Sequence, residues 1–228
     1  MNIVEAYIKF KGQLIIIISG ISGCGKSSLA NKFSKNFKIK HLELFDYFKK
    51  NFQNETVLPD GTKINNFNTD DAIDWDLFNS DVNNLKKNGL IISGMTFPND
   101  KINFEVDFHL HLSISKQLCS EKRIAYLEKH KEEYEEEYKM TQSPSYKLYI
   151  NHIVYPYYKS NIENMSINKF LNANNMTNDE IWDNSWDIII NFINKKVYLL
   201  DNNSHTDDEL STSSYSSSVD RPKRSSRK

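Results

Sequence analysis

LIIIISGISGCGKSSLA, residues 14–30, decides the fold. Five consecutive apolar residues, Leu14 to Ile18, read as a strand covered on both faces, the pattern of an inner parallel strand. Three of the chain's seven glycines follow within six residues, and a Lys-Ser-Ser helix start follows them. Gly20-Ile21-Ser22-Gly23-Cys24-Gly25-Lys26-Ser27 satisfies G-x-x-x-x-G-K-[ST] at every fixed position. Glycines let successive backbone N–H groups turn inward around phosphate oxygens, and the helix that begins there adds its positive end. The cradle is expected to comprise Gly20, Ser22, Gly23, Cys24, Gly25, Lys26, Ser27 and Ser28. Lys26 is expected at the terminal phosphates of ATP, and the Ser27 hydroxyl is expected on Mg²⁺.

The 228 residues carry 29 Lys and Arg against 30 Asp and Glu, so no basic field points to nucleic acid as a partner. The longest apolar run is far below the roughly 20 residues needed to span a bilayer, and no membrane association is expected. The opening MNIVEAYIKFKGQ has no signal-peptide pattern. Its two cysteines, Cys24 and Cys119, form neither a disulfide framework nor a metal spacing, so an intracellular, cytoplasmic setting is expected. Residues 202–228 are Ser-rich and charged, which predicts a disordered tail. Its basic end, RPKRSSRK, reads as a solubilising segment or a weak nuclear-targeting or phosphate-binding patch. Oligomeric state is not legible.

Between these ends, apolar runs alternate with amphipathic stretches, which predicts an α/β P-loop fold: a five-stranded, mostly parallel sheet flanked by helices in one domain, residues 1–201. Strands are expected over 13–19, 38–42, 90–93, 106–112 and 187–191. Helices are expected over 26–36, 74–87, 115–139 and 145–163, with a lid at about 113–145. The acidic run KEEYEEEYK fits a solvated helix face.

The cradle alone leaves the chemistry open. A guanine-reading N-K-x-D is absent, since Asn194-Lys195-Lys196-Val197 lacks the aspartate. A small-molecule kinase needs an acid beside the acceptor hydroxyl, and Asp46, in HLELFDYFKK, falls where the second strand ends beside the cradle. Asn66 to Leu77, NFNTDDAIDWDL, then resembles the NFDHPDAFDFDLL block that uridine kinases carry about twenty residues after such an aspartate. GLIISGMTFP, residues 89–98, is similar to their third core strand, and YINHIVYPYYK, residues 149–159, to a stretch of the related nicotinamide riboside kinases. The resemblance runs over roughly residues 13–162, and the missing pyrimidine-reading insert places it on the nicotinamide riboside kinase side.

The resemblance implies an ATP- and Mg²⁺-dependent kinase acting on a hydroxyl of a nucleoside or ribosyl small molecule. It implies Asp46 as general base and second metal-site residue. Asn68 and Asp70 would hold ribose hydroxyls, His152 and Tyr157 would line the acceptor pocket, and Arg123 of the lid would meet the transferring phosphoryl group, with Lys122 and Lys116 as second choices. Three departures stand out: Asn68 replaces the ribose aspartate, Thr69-Asp70 replaces His-Pro, and Ser93 replaces the acid that ends the third core strand. They leave two further readings open: a nucleotide-binding regulator with weakened or lost transfer, or a kinase of another alcohol.

Overall fold

The computed structural model describes residues 2–204; the expected tail lies outside the described residues from 205 onward. Strand β1 (Ile15–Gly20) is buried along its whole length and sits at the centre of a five-stranded sheet. The other strands are β2 (Lys40–Glu43), β5 (Leu90–Gly94), β6 (Phe108–Ser113) and β7 (Lys169–Asn172), in the order β2-β5-β1-β6-β7. All four pairings are parallel, with Ser19 opposite Gly94 on one side and His111 on the other. A separate antiparallel hairpin, β3 (Glu55–Val57) and β4 (Lys63–Asn65), projects between β2 and the next helix.

Alternation along β1 divides the core. Ile16 and Ile18 pack on one face with helices α1 (Ile3–Lys11), α2 (Lys26–Phe37) and α8 (Asn178–Ser204). Ile15 and Ile17 pack on the other with Leu42, Tyr47, Phe97 and Phe78 of helix α3 (Trp75–Leu85). Aromatic rings join α2 to α8, with Phe33 and Trp182 centroids 4.8 Å apart and Phe37 and Trp186 5.5 Å apart. Asp107, just before β6, accepts from Tyr7 of α1 (2.8 Å), from the Gln13 amide (3.1 Å) and from the Ile15 N–H (2.8 Å), fixing the first helix to the sheet. No helix among the described residues is long and apolar enough to cross a membrane.

The expected fold class, α/β with a parallel five-stranded sheet, is the observed one; several elements differ from expectation. Residues 187–191 are not a strand but part of α8, and the fifth strand is β7. Helix α8 continues to Ser204, three residues into the segment expected to be tail. The helix expected over 115–139 is two, α4 (Lys116–Lys129) and α5 (Glu135–Thr141). The helix expected over 145–163 is α6 (Ser145–Tyr149), a π-helical turn (Ile150–Val154) and α7 (Tyr155–Ile162). Pro156 explains the widened turn, because it has no N–H to return to the carbonyl one turn back.

Candidate active site

The cradle is built by backbone conformation. Gly23 (φ 82°) and Gly25 (φ 91°) occupy the left-handed region, and the loop passes directly into α2. No side chain caps the helix, so its first amides face the loop's concavity unclaimed by a side chain. A β-carbon on Gly23 would stand 3.2 Å from the Cys119 carbonyl oxygen and 3.2 Å from Lys122 Cβ, so helix α4 lies against the cradle at this point. Cys24 contributes backbone only; its side chain is fully buried, and burial raises its thiol pKa. Gly25 and Ser28 are exposed, and Ser22, Lys26 and Ser27 are half-buried at the rim. No carboxylate pairs with the Lys26 ammonium among the described residues, and its charge helps to depress the His111 pKa.

Beneath the cradle lies a polar group that the sequence pattern did not single out. Ser19 Oγ, the last side chain before the cradle, contacts His109 Nε2 (2.6 Å) and His111 Nδ1 (2.7 Å). His111 Nε2 meets the Tyr158 hydroxyl at 2.7 Å, and His109 Nδ1 meets the Ser166 carbonyl at 3.1 Å. Desolvation lowers both imidazoles to about 4, His109 with help from His111 and His111 with help from Lys26. Neutral imidazoles accept and donate within this network, which ties the strand entering the cradle to α7. The signal in the sequence was His-Leu-His on alternating positions of β6, which puts both rings on one face.

Asp46 lies on a 3₁₀ turn (Leu44–Tyr47) immediately after β2 and is exposed. The turn is fastened to the block beginning at Asn66. Lys49 N–H donates to the Ala72 carbonyl (2.9 Å), Asp74 N–H donates to the Tyr47 carbonyl (2.9 Å), and Phe48 forms a bridge with Ile73. Tyr47 also packs edge-on against Phe78 and donates to Asp81 at 2.9 Å. The expected base and the expected ribose-holding block therefore form one wall.

Of the residues expected to hold the acceptor, Asp70 and Tyr157 bond to each other and Asn68 bonds to Tyr149. Asn68 Nδ2 donates to the Tyr149 hydroxyl (2.8 Å), and the Tyr157 hydroxyl donates to Asp70 Oδ1 (2.7 Å). Both bonds join the block to the α6–α7 segment, which closes over it. Burial, followed by the Asp70 contact, pushes the Tyr157 phenol well above its ordinary range, so it stays a donor. His152 is exposed on the π-helical turn and is not drawn into this contact.

Arg123 is held bidentately by Glu137, Nε to Oε1 at 3.0 Å and Nη2 to Oε2 at 2.6 Å. Lys116 lies over the Tyr155 ring, 5.5 Å from its centroid. At Gly23 the cradle is met by Lys122 Cβ and by the backbone N of Arg123, so both residues sit on the turn of α4 that faces it.

Ser27 donates through its hydroxyl to Glu43 Oε1, a residue the sequence reading passed over. Glu43 ends β2 and lies in register with Ser93 at the end of β5. Ser93 is fully buried, and its hydroxyl is engaged by His41 Nε2 at 2.9 Å, while His41 Nδ1 contacts Asn31 of α2 at 3.0 Å. Alternation along β2 puts His41 and Glu43 on one face, and that periodicity was the available signal. Among the described residues, no three His, Cys, Asp or Glu side chains converge on a metal cage. Ser27 and Glu43 are hard oxygen donors of the kind Mg²⁺ accepts alongside phosphate oxygens and water, so the pair fits that ion.

A glycine cradle between the central strand and its helix, an acid-bearing turn after the edge strand β2 and all-parallel order define a P-loop kinase-like fold. Residues 15–96 match the family described as phosphoribulokinase / uridine kinase, about a third of the chain, covering the cradle, the Asp46 turn, the Asn66 block and β5. The resemblance read from the sequence therefore holds over those elements; α4 to α8 lie beyond the match. Among solved structures, the chain is similar to a protein assigned as a fructose transport system kinase from Silicibacter sp. TM1040, at 9% identity and a TM-score of 0.49, covering 75% of this chain and 99% of that one. It is also similar to a gluconokinase from Sinorhizobium meliloti 1021, at 12% identity and a TM-score of 0.42, covering 86% and 98%. No curated protein sequence matches the chain.

Proposed function

We propose that the protein transfers the γ-phosphoryl group of ATP to a hydroxyl of a nucleoside or ribosyl small molecule. The observation that carries this is the wall formed by the Asp46 turn and the Asn66 block, zipped together by two backbone hydrogen bonds of 2.9 Å beside the cradle. Asp46 takes the proton of the acceptor hydroxyl as that oxygen bonds to the γ-phosphorus. The bond to the β,γ-bridging oxygen breaks and ADP leaves with the electron pair. Lys26 and the first amides of α2 stabilise the charge that spreads over the phosphoryl oxygens. When bound, Mg²⁺ supplies further neutralisation there, held from Ser27. Asn68, Asp70 and Tyr157 present hydroxyl-directed polar groups; the bonds of Asn68 to Tyr149 and of Tyr157 to Asp70 open to admit the acceptor. Arg123 meets the transferring phosphoryl group only on release from Glu137, with Lys122 and Lys116 as second choices.

A regulatory nucleotide-binding role is the second reading, and Ser93 in place of an acid is what favours it. Incubation of the protein with ATP-Mg²⁺ and a panel of nucleosides, ribosides and simpler alcohols separates the two. Transfer to a riboside at 10-fold or more above ATP hydrolysis in water supports the kinase. Tight ATP binding with no transfer to any alcohol refutes it in favour of the regulator. Transfer confined to non-ribosyl alcohols keeps the mechanism and replaces the acceptor class.

A further inference from the structure

Strand β5 ends at a position where a metal-holding acid is expected beside a P-loop, and it carries a serine already committed elsewhere. The Ser93 hydroxyl is fully buried and bonded to His41, whose other ring nitrogen meets Asn31. That chain of three neutral groups closes off the β5 position: nothing on it offers an anionic oxygen to the cradle. One strand outward, in direct register with Ser93, stands Glu43, and its carboxylate receives the hydroxyl of the P-loop Ser27.

The geometry points to Glu43 as the carboxylate that holds the nucleotide's divalent cation, moved across the sheet from β5 to β2. Three observations converge on it. The Ser27 hydroxyl is the cradle oxygen that faces a cation in this motif, and a carboxylate already in contact with it lies within reach of the same ion. Glu43 is half-buried at the strand end, so its charge is not fully screened by solvent. Asp46 stands on a separate, exposed turn whose backbone is bonded to the Asn66 block, which leaves it available as base rather than ligand. Metal holding and proton abstraction thus fall to two acids three residues apart, Glu43 at the strand end and Asp46 on the following turn. On arrival of the cation, Ser27 and Glu43 exchange their mutual hydrogen bond for bonds to the ion, directly or through water.

This assignment rests on the phosphoryl-transfer reading for its purpose but is tested by binding. A fluorescent non-hydrolysable ATP analogue is titrated into the wild-type protein and into Glu43→Gln, with EDTA and with millimolar Mg²⁺. Mn²⁺ bound with the analogue is counted in parallel by electron paramagnetic resonance. In the wild type Mg²⁺ tightens the analogue at least tenfold; in Glu43→Gln the tightening falls to threefold or less, metal-free affinity stays within twofold, and the bound Mn²⁺ signal is lost. Equal Mg²⁺ tightening in the two proteins overturns the assignment, whether or not transfer to an alcohol is seen. Absence of transfer with the metal response still dependent on Glu43 refutes the kinase reading and leaves the metal site standing. Should Glu43→Gln fail to fold, Glu43→Asp carries the test: a metal response weakened at least threefold supports the site, and an unchanged one overturns it.

Discussion

Gly20 shows how tightly the cradle is specified at the level of single residues. A β-carbon there would stand 2.4 Å from the Leu112 carbonyl oxygen and 2.7 Å from Cys24 Sγ, so strand β6 and the loop's own buried thiol exclude any side chain. Gly25 has open space around it but a φ of 91°, so there backbone strain does the excluding. Lys26 is under no such packing constraint. It is half-buried at the loop rim, and no carboxylate pairs with it among the described residues. Lys26→Ala is therefore expected to reduce phosphoryl transfer at least 100-fold while moving the melting temperature by less than about 2 °C, since a charge is lost without a cavity or a broken ion pair. Parallel activity assays and thermal melts check both halves. The cradle residues were legible because a phosphate site imposes fixed spacing on contiguous residues. Asp46 was placed by its position just after the second strand, whose end lies on the cradle side of the sheet. Glu43 was not found, because its partners, Ser27 and Ser93, come from two other segments and only the register of β2 against β5 brings the three together.

Helix ends and breaks follow the same division between local and long-range causes. Helix α2 stops at Lys38, whose φ of 56° makes it the one left-handed non-glycine among the described residues, with its N–H closing on Ser34. The side chain is exposed, so nothing in the packing requires lysine there. Lys38→Gly relieves the left-handed strain and is expected to stabilise the protein by about 0.5–1 kcal/mol, a rise of roughly 1–4 °C in melting temperature. A melt that moves downward would show that the lysine makes a compensating contact. The break between α4 and α5 has no such local marker. Arg123 and Glu137 are 14 residues apart and would lie about 21 Å apart on a continuous helix, so their bidentate contact requires the chain to fold back. Nothing in HKEEYEEEYK announces that turn. Residues 187–191 were read as a strand because DIIIN is a short apolar run. Helical spacing shows only over the longer window, where Ile181, Ser185, Ile189, Ile193 and Val197 are all buried at intervals of four. Strand β7 was invisible for the opposite reason: as an edge strand it buries Leu171 alone, too little for a period-two pattern.

At the scale of the whole molecule, the central strand ties the cradle to the core through the histidines beneath it. Ser19 belongs to β1, His109 and His111 to β6, Tyr158 to α7, so one buried polar network joins the strand that enters the cradle to the helix whose Tyr157 bonds Asp70 of the Asn66 block. Both imidazoles are lowered from an ordinary value near 6.5 to about 4, so the native protein keeps them neutral where the unfolded chain protonates them. The unfolded state then binds more protons between pH 6.5 and 4, and stability must fall as pH falls through that window, levelling off below it. The loss is up to about 3 kcal/mol for each histidine, reduced where the two protonations are coupled. Asp107, whose carboxyl is raised by burial, works in the opposite direction: its contribution is full at low pH and is lost as pH rises through its own titration. The histidine share is therefore read as a difference between proteins. Melting temperature is followed from pH 7.5 to 4.5 in the wild type and in His109→Gln/His111→Asn, whose side chains cannot titrate. The double variant is expected to be less stable at pH 7.5, where the wild-type network is intact, and to lose several degrees less than the wild type on acidification. Because Lys26 helps depress His111, Lys26→Ala should shift the wild-type midpoint of acid loss toward neutral pH. Parallel pH curves for the wild type and the double variant would show that the imidazoles stay uncharged in both states or charged in both, and would remove the link between cradle and core.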